Sequence, residues 1–132
     1  MSGEQTMILG IGCDICDIRR IEKLISADEK FLKRVFTSSE IERLKKRNNV
    51  ASGFAKVFAA KEAVVKALGE TANISWQDIE VVKNTNGRPE IILHAEAHKT
   101  ANFLANGSYD LYLSLSDEIP YALAYVIFCK RV

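Results

Sequence analysis

Only three cysteines occur in 132 residues, and their number is odd. Their spacing matches no disulfide framework, so a cytoplasmic, reducing location is expected rather than a secreted scaffold. No apolar run reaches the roughly 20 residues a membrane helix needs. No charged-then-apolar leader with a cleavage site opens the chain, so export is not expected. Lys and Arg (18) nearly balance Asp and Glu (17), leaving a formal charge of +1. The global basic excess of a nucleic-acid-binding protein is therefore missing. With two histidines, no Ser-His-Asp or Cys-His arrangement stands out for covalent catalysis. There is no internal repeat, low-complexity tract or obvious linker.

What is present describes one globular domain. The apolar fraction is 48% and the charged fraction 27%, both ordinary for a protein with a sizeable core. The chain is read as a single domain over residues 1–132. Residues 1–6 carry no pattern and are taken as a disordered extension.

The stretch Phe58-Ala-Ala-Lys-Glu-Ala-Val-Val-Lys-Ala-Leu-Gly69 organises the rest. It ends a helix predicted from an N-cap at Ser52 to a C-terminal glycine at Gly69. The helix is apolar nearly all round, so it belongs inside the domain. Lys56, Lys61, Glu62 and Lys66 break the pattern. At about 100° per residue, Glu62 and Lys66 lie within about 40° of each other. Two readings stay open. The pair forms an i,i+4 salt bridge, or Glu62 holds a metal and Lys66 a phosphate.

Ahead of it, Met7 to Ile15 reads as a buried strand. Gly10, Gly12 and Asp14 share one face, because side chains alternate along a strand. The cleared face invites close approach of a helix or a ligand. Gly10-Ile-Gly12 begins a dinucleotide fingerprint, but its third glycine is missing. Asp17 N-caps a helix to about Ser26 with the stripe Ile18, Ile21, Leu24 and Ile25. A short helix around Phe31 to Phe36 follows, then a polar one capped by Thr37 or Ser38. Residues 18–47 hold ten Lys/Arg against five Asp/Glu, a local charge of +5. Such a run is a solvated face or a dock for an acidic partner.

Beyond Gly69 the pattern turns to strands. Asp78 to Lys83 and Arg88 to His94 flank Asn84-Thr-Asn-Gly87, a hairpin signal. Ala95 to Asn106 reads as a helix, and Tyr109 to Ser116 with Tyr121 to Cys129 as a second hairpin. Ala122 and Ala124 suit a strand lying close to the Ala-rich helix. The expected class is α+β, a mainly antiparallel sheet packed around a central apolar helix. Cys13 and Cys16 form C-x-x-C, and with His94 and His98 they make an alternative zinc or redox site.

Three further stretches join the central one. Gly10-Ile-Gly-Cys-Asp14-Ile-Cys-Asp-Ile18-Arg-Arg20-Ile21 resembles the first signature of the holo-[acyl-carrier-protein] synthases, and Phe58 to Gly69 resembles their second. Asn86-Gly87-Arg88-Pro89 is similar to their hairpin loop. Leu113-Ser-Leu-Ser-Asp117 with Tyr121-Ala122 is similar to their C-terminal strand pair. The likeness implies a small trimeric 4′-phosphopantetheinyl transferase that serves fatty acid biosynthesis. Such an enzyme moves phosphopantetheine from coenzyme A to a serine of apo acyl carrier protein. It needs Mg²⁺ and releases adenosine 3′,5′-bisphosphate.

By position, the resemblance makes Asp14 and Glu62 the Mg²⁺ ligands and Lys66 the pyrophosphate cation. Lys61, Gly69, Arg88 and Pro89 are expected to contact coenzyme A. Arg20, with Arg19 and Lys23 beside it, is expected to meet the carrier protein. The base is a metal-bound water or a carboxylate such as Glu62. A homotrimer with sites at subunit contacts is expected, and Tyr109, Tyr112, Tyr121 and Tyr125 suit an interface. Two positions depart from the pattern. Val57 stands where many relatives have Arg, and Asp117 where many have His.

Overall fold

A computed structural model describes residues 7–69 and 73–132, so the extension expected over residues 1–6 lies outside the described residues. The order is β1 (Ile8–Asp17), α1 (Ile18–Ala27), α2 (Glu29–Val35), α3 (Ser38–Lys45) and α4 (Val50–Leu68). A 3₁₀ turn (Trp76–Asp78), β2 (Ile79–Lys83), β3 (Pro89–Leu93), α5 (Ala95–Ala105), β4 (Tyr109–Glu118) and β5 (Tyr121–Lys130) follow. The strands form two antiparallel sheets, β1-β5-β4 and β2-β3. The α+β class expected from the pattern is what folds.

Short polar side chains set the helix starts. Asp17 ends β1 and accepts the Arg19 N–H at 2.9 Å, satisfying an orphan donor of α1. Thr37, not Ser38, caps α3, in a reciprocal box with Glu40. The helix α4 begins three residues earlier than expected, with Asn49 and not Ser52 at its N-cap position. Ser52 is no cap: it is buried and its Oγ donates to Asp117 Oδ2 at 2.9 Å. That long-range partner wins over the local cap because α4 continues past it to meet β4.

The interior is arranged around α4. One side lies on the three-stranded sheet at backbone distance. A Cβ on Gly10 would stand 2.0 Å from the Ala67 carbonyl oxygen, and one on Gly12 would stand 1.8 Å from that of Ala63. So the glycines of β1 serve helix packing. Ala122 and Ala124 of β5, both fully buried, continue this thin seam. On another side Phe54, Val64 and Leu68 are buried, and the Phe54 ring meets Phe36 edge-on at 4.9 Å. The sheet face turned away from α4 is uncovered: Ile11, Ile15, Tyr112, Leu123 and Tyr125 are all exposed.

Candidate active site

The seam between β1 and α4 carries charged side chains near Asp14. Asp14 follows Gly12 on the same strand face, and Glu62 and Lys66 project from α4 beside it. Lys66 Nζ lies 3.1 Å from Asp14 Oδ1 and donates to the Cys13 carbonyl at 2.9 Å. Lys66 thus bridges strand and helix, and of the two readings left open the i,i+4 Glu62–Lys66 salt bridge is not formed. The Asp14 side chain is 11% exposed, whereas that of Lys66 is 55% exposed. A shielded carboxylate and a solvent-facing ammonium therefore sit side by side.

Glu62 is the strained member. Burial pushes its carboxyl above the ordinary range, and the Asp14 charge pushes it further. Arg20 and Lys66 pull the other way. Two carboxylates sharing a half-buried site repel when both ionise, and a divalent cation would relieve that repulsion. Both donors are hard oxygens, and among the described residues no group of three or more His, Cys, Asp or Glu is gathered. Two carboxylates that leave other positions to water and phosphate oxygens fit Mg²⁺.

The raised carboxyl has a measurable consequence without metal. A carboxyl whose folded pKa exceeds its unfolded value contributes stability below the unfolded pKa and loses it as pH rises through the folded pKa. In EDTA the thermal midpoint should therefore fall as pH climbs just above the usual glutamate range. Glu62→Gln should flatten that fall. Asp17, Glu80 and Asp117 have lowered pKa values and act in the opposite sense, at lower pH. An unchanged slope in Glu62→Gln would place the effect on another group.

The coenzyme A contacts expected by position separate in space. Lys61 is corrected: its side chain is fully buried, 2.9 Å from Glu40 Oε1, and donates to the carbonyls of Trp76 and Ile79. It cannot reach a ligand, because its spacing turns it a quarter of a helical turn from Glu62, into the core. Gly69 takes φ +84° and lines a groove with Lys66, Leu9 and Leu104. Arg88 is exposed at the β2–β3 hairpin. Pro89 lines a different cavity of about 190 Å³ with Arg43, Arg47, Lys56, Val57 and Lys83. Among the described residues no carboxylate lines it.

That cavity was not anticipated from the sequence, although Arg43 and Arg47 are four apart. Among the described residues the buried Arg43 Nε has no hydrogen-bond partner, while its Nη2 donates to the Val81 carbonyl at 3.0 Å. Lys56 reaches Asp117 Oδ2 at 3.4 Å, so the two atypical positions, Val57 and Asp117, both belong to this neighbourhood. At about 100° per residue, Val57 lies about 140° from Glu62 and 180° from Lys66. The basic cavity and the carboxylate site therefore occupy nearly opposite sides of α4.

Of the partner-facing cations, Arg19 is ion-paired to Asp17 at 2.8 Å. Arg20 turns its guanidinium toward Cys16, at 4.0 Å from Sγ. Arg19, Arg20 and Lys23 are exposed together at the head of α1. The zinc or redox alternative is overturned. Cys13 is exposed and Cys16 buried, because residues three apart on a strand point to opposite faces. His94 is 2.9 Å from Glu80 and His98 is 2.7 Å from the Tyr109 hydroxyl.

The sequence profile of the 4′-phosphopantetheinyl transferase superfamily matches residues 10–126. A holo-[acyl-carrier-protein] synthase of Clostridium kluyveri is 43% identical over 122 residues, covering 92% of this chain and 90% of that one. The crystal structure of a Plasmodium yoelii holo-ACP-synthase superposes with a TM-score of 0.82 at 30% identity, covering 98% of this chain and all of that one. A Bacillus anthracis holo-(acyl-carrier-protein) synthase, solved in complex with CoA (3′,5′-ADP), gives 0.77 at 33% identity over 96% and 100% of the two chains. With Asp14, Glu62 and Lys66 brought together from the two signature stretches, the chain belongs to the holo-[acyl-carrier-protein] synthases of the 4′-phosphopantetheinyl transferase superfamily.

Proposed function

We propose that this chain transfers the 4′-phosphopantetheine group of coenzyme A to a serine of an apo acyl carrier protein, releasing adenosine 3′,5′-bisphosphate, with Mg²⁺ held by Asp14 and Glu62. The observation that carries the reading is the meeting of Asp14, Glu62 and Lys66 across the β1–α4 seam. The complexes with coenzyme A described for related synthases support the donor. Bound there, Mg²⁺ would supply Lewis-acid stabilisation of phosphoryl oxygens.

The chain's own groups act around that. The serine hydroxyl gives its proton to water or to a carboxylate such as Glu62 as its oxygen attacks the phosphorus bearing the pantetheine arm; the bond to the bridging oxygen breaks, and charge grows on that oxygen. Lys66 exchanges its Asp14 contact for the pyrophosphate and stabilises this charge from a half-shielded position. Asp14, fixed on a strand by glycine packing, orients the assembly. Arg20, exposed with Arg19 and Lys23 at the head of α1, is near enough for its charge to act on Glu62, so an acidic carrier docked on α1 delivers its serine beside Glu62. The odd set of free thiols supports a cytoplasmic setting, where the product serves fatty acid biosynthesis. Among the described residues, no helix is long and apolar enough to cross a membrane.

The working unit in this reading is a homotrimer. Two observations support it. The uncovered sheet face carries Ile11, Ile15, Tyr112, Leu123 and Tyr125, the aromatic and aliphatic mixture of interface cores. The basic cavity lies across α4 from Glu62, so one ligand is best embraced by the carboxylate site of one copy and the basic cavity of another. A cyclic arrangement closes such contacts without an open end.

Incubation with coenzyme A, Mg²⁺ and an apo carrier protein should raise the carrier mass by one phosphopantetheine. Light scattering should give three times the 14.7 kDa chain mass. Mixing inactive Glu62→Gln with impaired Arg43→Ala chains should restore activity as subunits exchange, because some interfaces then hold two intact halves. A fully active monomer would rule out the shared site, and an unmodified carrier would rule out the transfer.

A further inference from the structure

We infer that Lys61 is a positioning residue for the candidate site: anchored in the core, it fixes the rotation of α4 that carries Glu62 to Asp14. The inference rests on the Asp14–Glu62 reading above. Lys61 and Glu40 are a fully buried ion pair at 2.9 Å, each side chain 0% exposed. The ammonium also donates to the carbonyls of Trp76 and Ile79. Glu40 is equally committed: Oε1 accepts the Thr37 N–H at 2.8 Å and Oε2 the Val81 N–H at 2.7 Å. One lysine therefore ties α4 to the start of α3, the 3₁₀ turn and β2.

The sheet side of α4 does not provide such a lock. There Ala63 and Ala67 meet glycines, backbone to backbone. Methyl-sized groups present shallow ridges, which hold a helix close but index its rotation weakly. Side-chain tips on a helix stand about 5–6 Å from its axis, so a 20° rotation moves a carboxylate by about 2 Å. That is the difference between sharing an ion with Asp14 and missing it. Hydrogen bonds to three fixed acceptors resist such a rotation, because their strength falls steeply with angle. Glu62 follows Lys61 directly, so the anchor and the carboxylate move as one.

A buried pair that only balanced charge could be replaced by neutral groups without harm to function. That contrast supplies the test. Mn²⁺, which shares the preference for oxygen ligands, is titrated into each folded variant and the free ion is read by electron paramagnetic resonance, with no turnover needed. Glu62→Gln should weaken binding strongly. Lys61→Met alone should lower the thermal midpoint, since it strands a buried carboxylate. Lys61→Met with Glu40→Gln removes the stranded charge and should recover much of the midpoint, yet bind Mn²⁺ about tenfold more weakly than wild type, as loss of a supporting partner does at metal sites. Val64→Ala, a core cavity on the same helix, should cost stability and leave Mn²⁺ affinity within about twofold.

Wild-type Mn²⁺ affinity in the double variant would overturn the positioning role. So would a tenfold loss in Val64→Ala, which would assign the effect to general packing and remains decisive if the double variant does not fold. Unchanged binding in Glu62→Gln would instead remove the Asp14–Glu62 reading itself, a distinct result.

Discussion

Asp14→Asn and Glu62→Gln should each lower carrier modification about 10³-fold while the protein stays folded. A factor of that size corresponds to roughly 4 kcal/mol of transition-state stabilisation, in the range lost when an electrostatic contact to a reacting oxygen is removed. The stability side of the prediction comes from the geometry. Asp14 and Glu62 share a half-buried site, and the ionised Glu62 is disfavoured by burial and by Asp14. Neutralising either one relieves repulsion. Asp14→Asn also gives up its contact with the solvent-exposed Lys66, worth at most about 1 kcal/mol. The thermal midpoint of Glu62→Gln at neutral pH, without metal, should therefore equal or exceed that of wild type. Carrier mass reports the activity and circular dichroism the fold. Near-normal turnover in Mg²⁺, or loss of secondary structure, would count against the assignment.

The largest effect on folding is expected at Gly12. A methyl group there would sit 1.8 Å from the Ala63 carbonyl oxygen and 2.9 Å from the Ala67 nitrogen. Both are backbone atoms of α4, so no side chain can swing aside. The helix would have to lift off β1, opening a void along a seam that is close-packed. We expect Gly12→Ala to cost at least about 4 kcal/mol, a large part of the 5–15 kcal/mol that holds a domain together. Two other glycines set the scale. At Gly53, in the first turns of α4, the nearest atom to an added Cβ is the flexible Leu44 Cδ2 at 3.0 Å; Ala is the better helix former, so Gly53→Ala should be nearly neutral. At Gly69 nothing among the described residues lies within 4 Å, but φ is +84° and ψ 177°, and Gly69→Ala should cost about 1–3 kcal/mol through backbone strain. Denaturant unfolding of the three variants gives the ranking. A Gly12→Ala protein as stable as Gly53→Ala would mean that the β1–α4 seam has room for a methyl group.

The element order was legible in the sequence because its signals are local. Asp17 caps α1 and Thr37 caps α3 within three residues of the donors they satisfy. Asn-Gly at the β2–β3 turn and the all-apolar run of α4 act over similar lengths. The candidate carboxylates were legible for a different reason. A charged group in an otherwise buried segment needs a partner, so Asp14 behind two glycines and Glu62 on an apolar helix stood out before any fold was known.

What only the tertiary structure decided is the partner each charge takes. Lys61 and Lys66 are both lysines of one helix, in one signature stretch. One is sealed against Glu40, and the other faces solvent beside Asp14. Ser52 looked like a cap and serves Asp117, 65 residues away. Arg43 closes a basic cavity with Lys56 and Lys83, on the far side of α4 from Glu62. The physical reason is common to all of them. Periodicity and capping depend on a few neighbouring residues, whereas the strength of an ion pair depends on distance and on the dielectric around it. Both are set only when distant segments pack, and no spacing along the chain contains them.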